Sequence, residues 1–256
     1  MIVYKYLHPE RVDVLKNNRI RFTQPAALND PFEMMPNLRE IRRYYAALSD
    51  DVNRDMDPSW AAVQSILTQW KITDTFGRWQ ADNPSNLAFL SLSKNRNNLL
   101  MWSHYCNSHR GFVVGFDSTD PFFRLAKPDV KSILQEVRYS FDRPIMPATD
   151  NCSVEFFRTK DNILTKSIDW KYEEELRMFA KPTEADATKP GCDGHPIYLF
   201  NFPADSVSEV ILGLRTPVET QKEILEIVRN TYPKAKLFKA DLNQSKFDLD
   251  ILPYSG

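Results

Sequence analysis

Apolar runs alternate with amphipathic, capped stretches along this chain, and the pattern predicts strands interleaved with short helices. Ile2 to Tyr6 reads as a strand, and Pro9 opens a short helix carrying Val12 and Leu15, where a missing amide does no harm. Ile20 to Phe22 predicts the next strand. From Arg39 to Trp79 the pattern turns helical: Asp57 can cap, Pro58 takes the first helical position, and Val63, Ile66, Leu67 and Trp70 form an apolar stripe. Leu87 to Leu92 and Phe112 to Phe116 are near-continuous apolar runs, the mark of interior strands, with a helix over Asn97 to Asn107 between them.

The second half continues the alternation. Val154 to Leu164 reads as helix, and Glu173 to Ala180, Ile197 to Phe202 and Val207 to Leu212 read as strands. Thr216 as N-cap, Pro217 in the first turn and Glu219 as capping-box partner predict a helix carrying Ile224, Leu225, Ile227 and Val228. Lys236 to Ala240 and Phe247 to Ile251 would close the sheet, and the Pro- and Gly-containing stretch from Lys181 to His195 reads as a long loop. This is an α+β pattern, expected as a single domain over residues 1–256 with a helical insertion around 39–80.

Chemistry concentrates in Trp170 to Ala180. A two-residue rhythm sets Glu173, Glu175 and Arg177 on one strand face and Leu176, Met178 and Ala180 on the other. Two carboxylates about 7 Å apart along a strand repel where water is scarce, which suits a pair with divided labour. The plainer alternative is an edge strand whose charges face solvent. Composition narrows the field: 256 residues, 42% hydrophobic and 26% charged, with a net charge of -1, describe a globular chain without the basic excess of a general nucleic-acid binder. Cys106, Cys152 and Cys192 are an odd number at unrelated spacings, fitting reduced thiols better than a disulfide scaffold, and no run of eighteen apolar residues occurs. A soluble cytoplasmic protein without membrane contact is expected.

Other constellations carry candidate chemistry. Asn29-Asp30-Pro31-Phe32-Glu33 has the residues of an Asx turn, and Ser91 and Ser93 share a face at the end of a buried strand. Neither serine sits in a Gly-x-Ser-x-Gly elbow, which counts against an α/β-hydrolase. Trp102 and Tyr105 lie in a helical stretch where they would either stack on a planar ligand or join the core. His104, Cys106 and His109 lack any metal-binding spacing, so no bound metal is expected. Lys5, between Tyr4 and Tyr6, faces either a cleft or solvent.

Four motifs in order, Tyr4-Lys5-Tyr6, Asn29 to Glu33, Leu100 to Tyr105 with His109 and Gly111, and Trp170 to Arg177, resemble the bacterial domain-of-unknown-function family numbered 2971 over nearly the whole chain. More distantly, Lys5, then Ser91 with Ser93, then Glu173 with Glu175 are similar to the ordered motifs of the ADP-ribosyltransferase superfamily. Lysine stands where arginine or histidine is usual there, and it cannot make a bidentate fork to phosphate.

The second resemblance implies a mixed, mostly antiparallel split sheet with flanking helices, and an NAD-consuming transferase or NAD glycohydrolase, with NAD as substrate. Glu175 would stabilise the oxocarbenium-like transition state and Glu173 would orient or deprotonate the acceptor. Lys5 would neutralise the pyrophosphate, Ser91 or Ser93 would position the nicotinamide ribose, and Trp102 or Tyr105 would stack near the nicotinamide. Tyr6, Asn29 and Arg177 complete the implied cofactor-binding set. A bacterial toxin or anti-phage defence effector is implied, with a macromolecular acceptor and an antitoxin or defence partner. Two alternatives stay open: a metal-dependent nuclease using Asp30, Glu33, Glu173 and Glu175, and a non-catalytic binding module on the same fold.

Overall fold

The computed structural model describes residues 1–30, 32–34, 37, 39, 87–124, 126–127, 130–131, 133–145, 160–191 and 194–256. Its strands in chain order are β1 (Ile2–Leu7), β2 (Arg19–Phe22), β3 (Ala88–Ser93), β4 (Phe112–Asp117), β5 (Ala126–Lys127), β6 (Val130–Lys131), β7 (Gln135–Glu136), β8 (Arg138–Ser140), β9 (Thr165–Ser167), β10 (Glu175–Ala180), β11 (Ala187–Lys189), β12 (Ile197–Asn201), β13 (Val207–Leu212), β14 (Lys236–Leu242) and β15 (Leu249–Pro253). Three helices matter below: α1 (Asp13–Asn17), α2 (Leu99–Tyr105) and α3 (Val218–Thr231).

The chain divides into two units. Met1–Thr23, Ala88–Val137 and Asp169–Gly256 form the first, and Gln24–Leu87 with Arg138–Ile168 form the second. The first unit holds an eight-stranded sheet in the order β15-β14-β13-β4-β1-β3-β10-β7 and a three-stranded sheet in the order β11-β12-β2. Pairing in the large sheet is antiparallel except between β13 and β14, which run parallel because α3 carries the chain back between them. The fold is therefore α+β with a large, mostly antiparallel sheet and few helices. In the second unit β8 pairs in parallel with β9. No helix among the described residues is long and apolar enough to cross a membrane.

Alternation along the strands builds two cores, one on each face of the large sheet. Val3, Leu7, Leu90, Leu92, Leu176 and Met178 join residues of α1 and α3 on one face. Tyr4, Tyr6, Val113 and Ile211 meet Met101, Trp102 and Cys106 on the other. Gly115 of β4, opposite Tyr4 on the second face, is a glycine for steric reasons, since a Cβ there would come within 2.7 Å of Glu209 Cγ and 2.9 Å of Ile2 Cγ2.

Four local expectations change. Glu173 does not belong to the strand: a 3-10 turn spans Ile168–Glu173, Glu174 takes a left-handed φ of 45°, and β10 starts only at Glu175. The Thr216 hydroxyl does not cap α3, whose N-cap is Pro217; it is buried and donates to Gly111 O and Gly213 O at 2.8 and 2.9 Å. The stretch from Lys181 to His195 is not all loop, because Ala187–Lys189 adds to β12 as a strand. The helix expected over Asn97 to Asn107 is shorter, Leu99–Tyr105, with Asn98 as its cap. The helical insertion expected around 39–80 and most of the helix expected over Val154 to Leu164 lie outside the described residues.

Candidate active site

Glu175 opens β10 opposite Ser93, the last residue of β3, and further along the same pair of strands Arg177 faces Ser91 and Phe179 faces Phe89. Directly opposed residues share a face, so one side of this sheet carries Glu175, Arg177, both serines and Phe89. Ser93 also pairs with Tyr4, and among the described residues that is the single register pair joining β1 to β3. Away from it Lys5 Nζ bridges the two strands by donating to Ser91 O at 2.9 Å.

Lys5 shares its strand parity with Val3 and Leu7, not with Tyr4 and Tyr6. Its ammonium thus reaches the backbone of Ser91, while both serine side chains lie on the opposite face. The residue is half-buried, and burial pushes its pKa down from the ordinary 10.5 to about 8. Glu175 and Glu173 pull the other way, and Arg11 and Arg21 add to the depression.

This shift predicts a pH dependence of stability. Between pH 8 and 10.5 the unfolded chain holds a proton that the folded one has released, so stability rises with pH across that window. The penalty is present in full below pH 8 and gone above 10.5. Measured by urea unfolding, the wild type is expected to gain on Lys5→Met from pH 8 to 10.5; a constant difference across the window counts against the shift. Tyr4, whose pKa burial raises to about 12, works in the opposite direction at higher pH but is common to both proteins.

Glu175 and Arg177 form a buried bidentate pair. Arg177 Nε donates to Glu175 Oε1 at 2.8 Å and Nη2 to Oε2 at 3.0 Å, with the carboxylate residue 4% exposed and the arginine 0%. The guanidinium carbon lies 4.7 Å from the Phe89 ring centroid. The arginine offsets part of the cost of burying a carboxylate at such depth. The edge-strand alternative, with charges in solvent, is therefore excluded: five of the six residues of β10 are buried.

Glu173, also buried, accepts from the Tyr105 hydroxyl at the end of α2. Tyr6 donates to Asn95 O at 2.8 Å, and Ser93 Oγ accepts from Asn95 N at 3.1 Å. Trp102 is fully buried, with Tyr6 edge-on at 5.4 Å, His109 stacked at 6.3 Å, and its Nε1 donating to Arg96 O at 3.1 Å. Tyr105, only half-buried, is the aromatic of α2 that meets a site carboxylate.

Asn29, Asp30 and Glu33 belong to the second unit. Asn29 is exposed in the second unit, where Asp30 Oδ1 accepts from Phe32 N at 2.8 Å in the expected Asx turn and Glu33 lies 3.6 Å from Lys166 Nζ. Among the described residues, no three His, Cys, Asp or Glu side chains are arranged to hold a metal ion. Cys106 is buried with its Sγ on Phe112 O at 3.4 Å, and burial pushes the thiol up, making it unreactive.

Sequence patterns did not single out Asn95, Asn98 or Glu209. Glu209 is a buried carboxylate on β13, held by Arg96 Nη1 at 3.3 and 3.4 Å and by the Tyr4 hydroxyl. Asn98 had a legible signal, a cap-forming residue directly before the apolar helix Leu99 to Tyr105. Glu209 had none, because a carboxylate in Val207 to Leu212 reads as an outward-facing strand position.

The family model described as Protein of unknown function (DUF2971) matches residues 101–178, a stretch that holds Tyr105, Glu173, Glu175 and Arg177 but not Lys5, Ser91 or Ser93. This supports the resemblance to that family. No curated protein and no solved structure matches the chain.

Proposed function

We propose that this chain is an NAD-consuming enzyme with an ADP-ribosyltransferase-like split-sheet fold, acting as a transferase or an NAD glycohydrolase. The observation that carries the reading is the adjacency of β1, β3 and β10. Three segments far apart in sequence thereby bring Lys5, the two serines and Glu175 to neighbouring strands, with Ser93 directly opposite Glu175. Glu175 at the opening of a strand, with Glu173 on the turn before it, is also the order the superfamily resemblance implies.

The residues can serve this chemistry. Glu175, held bidentately by Arg177, offers a carboxylate at the start of β10 on the face that carries both serine side chains, and Lys5 supplies a cation at the backbone of Ser91. Glu175 stabilises the positive charge that grows at ribose C1′ as its bond to nicotinamide breaks and the electron pair leaves with the neutral base. Glu173 takes the proton that an acceptor O–H loses as its oxygen bonds to C1′. When the acceptor is water, the products are nicotinamide and ADP-ribose.

Nicotinamide release from NAD tests this. Wild type is expected to turn over, and Glu175→Gln to lose on the order of 10²–10³ in kcat, the usual loss for a charge-stabilising group. No release with water, protein or nucleic acid as acceptor, or undiminished release by Glu175→Gln, overturns the reading. The tight closure of Arg177 on Glu175 favours one other reading, a non-catalytic binding module on the same fold, which the same assay separates as NAD binding without nicotinamide release.

A further inference from the structure

The segment from Lys94 to Asn98 joins β3 to α2 and is tied to the turn that precedes β10. Lys94 N donates to Glu174 O at 3.1 Å, Asn95 Nδ2 to Glu174 Oε1 at 3.2 Å, and Asn98 Nδ2 to Tyr172 O at 3.1 Å. The turn needs such ties, because a left-handed glutamate at position 174 is a conformation that side chains with a Cβ disfavour.

Asn98 acts in two directions at once. Its Oδ1 accepts from Leu100 N at 3.0 Å and Met101 N at 3.1 Å, which fixes the start of α2, while its Nδ2 holds the carbonyl of Tyr172. The last residue of α2 is Tyr105, the residue after Tyr172 is Glu173, and the Tyr105 hydroxyl donates to the Glu173 carboxylate. The Asn98 amide, together with the hydrogen bond between His104 Nδ1 and the Tyr172 hydroxyl at 2.9 Å, thus ties the helix that brings the donor to the turn that brings the acceptor.

We infer that Asn98 is a positioning residue: by bridging the N-terminus of α2 to the Tyr172 carbonyl it keeps Tyr105 on Glu173 and aims that carboxylate at the acceptor. The catalytic consequence rests on the NAD reading above; the tether itself does not. Removing the amide nitrogen lets the turn shift relative to α2, and a misplacement of about 1 Å at a reacting group is enough to cost roughly 10²-fold in rate.

Asn98→Ser tests this, since serine caps a helix about as well as asparagine but has no donor for Tyr172 O. Its melting temperature is expected to stay within a few degrees of wild type. The ¹³Cζ resonance of Tyr105, assigned by its loss in Tyr105→Phe, is expected to move away from its carboxylate-bonded position. Transfer kcat is expected to fall about 10²-fold with the KM for NAD little changed. Asn98→Asp, whose charge strengthens the cap while removing the donor, is expected to behave alike.

A Tyr105 resonance that stays put in both variants overturns the inference. So does a moved resonance with undiminished kcat, and so does unfolding of both variants, which would make Asn98 a residue of stability alone. Absence of turnover in the wild type ends the NAD reading instead, and the Tyr105 resonance then decides the tether by itself.

Discussion

Arg177→Met is expected to destabilise the protein by about 3–5 kcal/mol, the cost of stranding one partner of a buried ion pair. Arg177 donates two hydrogen bonds to Glu175, at 2.8 and 3.0 Å, with almost no exposure on either side, so bulk water does not reach the carboxylate when the guanidinium is removed. Against a typical total of about 5–15 kcal/mol, a loss of that size moves much of the population toward the unfolded state. Combining it with Glu175→Leu removes the buried carboxylate that Arg177 held, and the double variant is expected to recover most of the stability. Urea unfolding of the two single variants and the double variant checks this; additive single losses would mean the pair is not coupled.

The same pair shows where the sequence was readable and where it was not. Two-residue alternation sets Glu175 and Arg177 on one face and Leu176 and Met178 on the other, and that is how β10 lies. The alternation carries no information on depth, which depends on β3 and β7 flanking the strand on both sides. Hence a run that reads equally well as a solvated edge is an interior strand. Glu173 was misassigned for a related reason: three successive glutamates fit an extended rhythm, and nothing in Glu173-Glu174-Glu175 announces a left-handed residue at the middle one. That turn is held by Lys94 and Asn95, about 80 positions away, so its shape is a tertiary property.

Local signals fared better where chemistry and backbone demand coincide. Pro9 and the apolar runs at Ile2, Leu87, Phe112 and Val207 mark the strands and the first short helix within a residue or two, because burial and the missing proline amide act on the element itself. Thr216 failed as a cap although the residue pattern was right. Its hydroxyl is buried with two carbonyls within reach, Gly111 O and Gly213 O, and a buried hydroxyl left without an acceptor would cost more than an unfilled cap on a solvated helix end. Lys5 is legible as a cation opposite Tyr4 and Tyr6 that faces either a cleft or solvent, whereas its bond to the Ser91 carbonyl depends on how far β1 and β3 part, which no spacing records.

Trp102→Ala is expected to cost about 3–5 kcal/mol, because it empties the largest fully buried side chain in the described residues and leaves a cavity that α2 cannot collapse into without moving. Its indole N–H also serves Arg96 O at 3.1 Å, so the substitution strands a carbonyl in the segment that leads from β3 to α2. Trp102→Phe keeps most of the ring volume and loses that donor, and is expected to cost less than half as much. The comparison separates two uses of the ring. With Tyr6 edge-on against one part and His109 stacked on its face, the indole is already occupied on the protein's own account. If it nevertheless stacked on a ligand, nucleotide binding would raise the melting temperature of the wild type more than that of Trp102→Phe. An equal rise in both assigns the tryptophan to the core and leaves Tyr105, half-buried beside Glu173, as the aromatic of α2 with surface to offer. A loss below about 1 kcal/mol for Trp102→Ala would contradict the packing described for this face of the sheet.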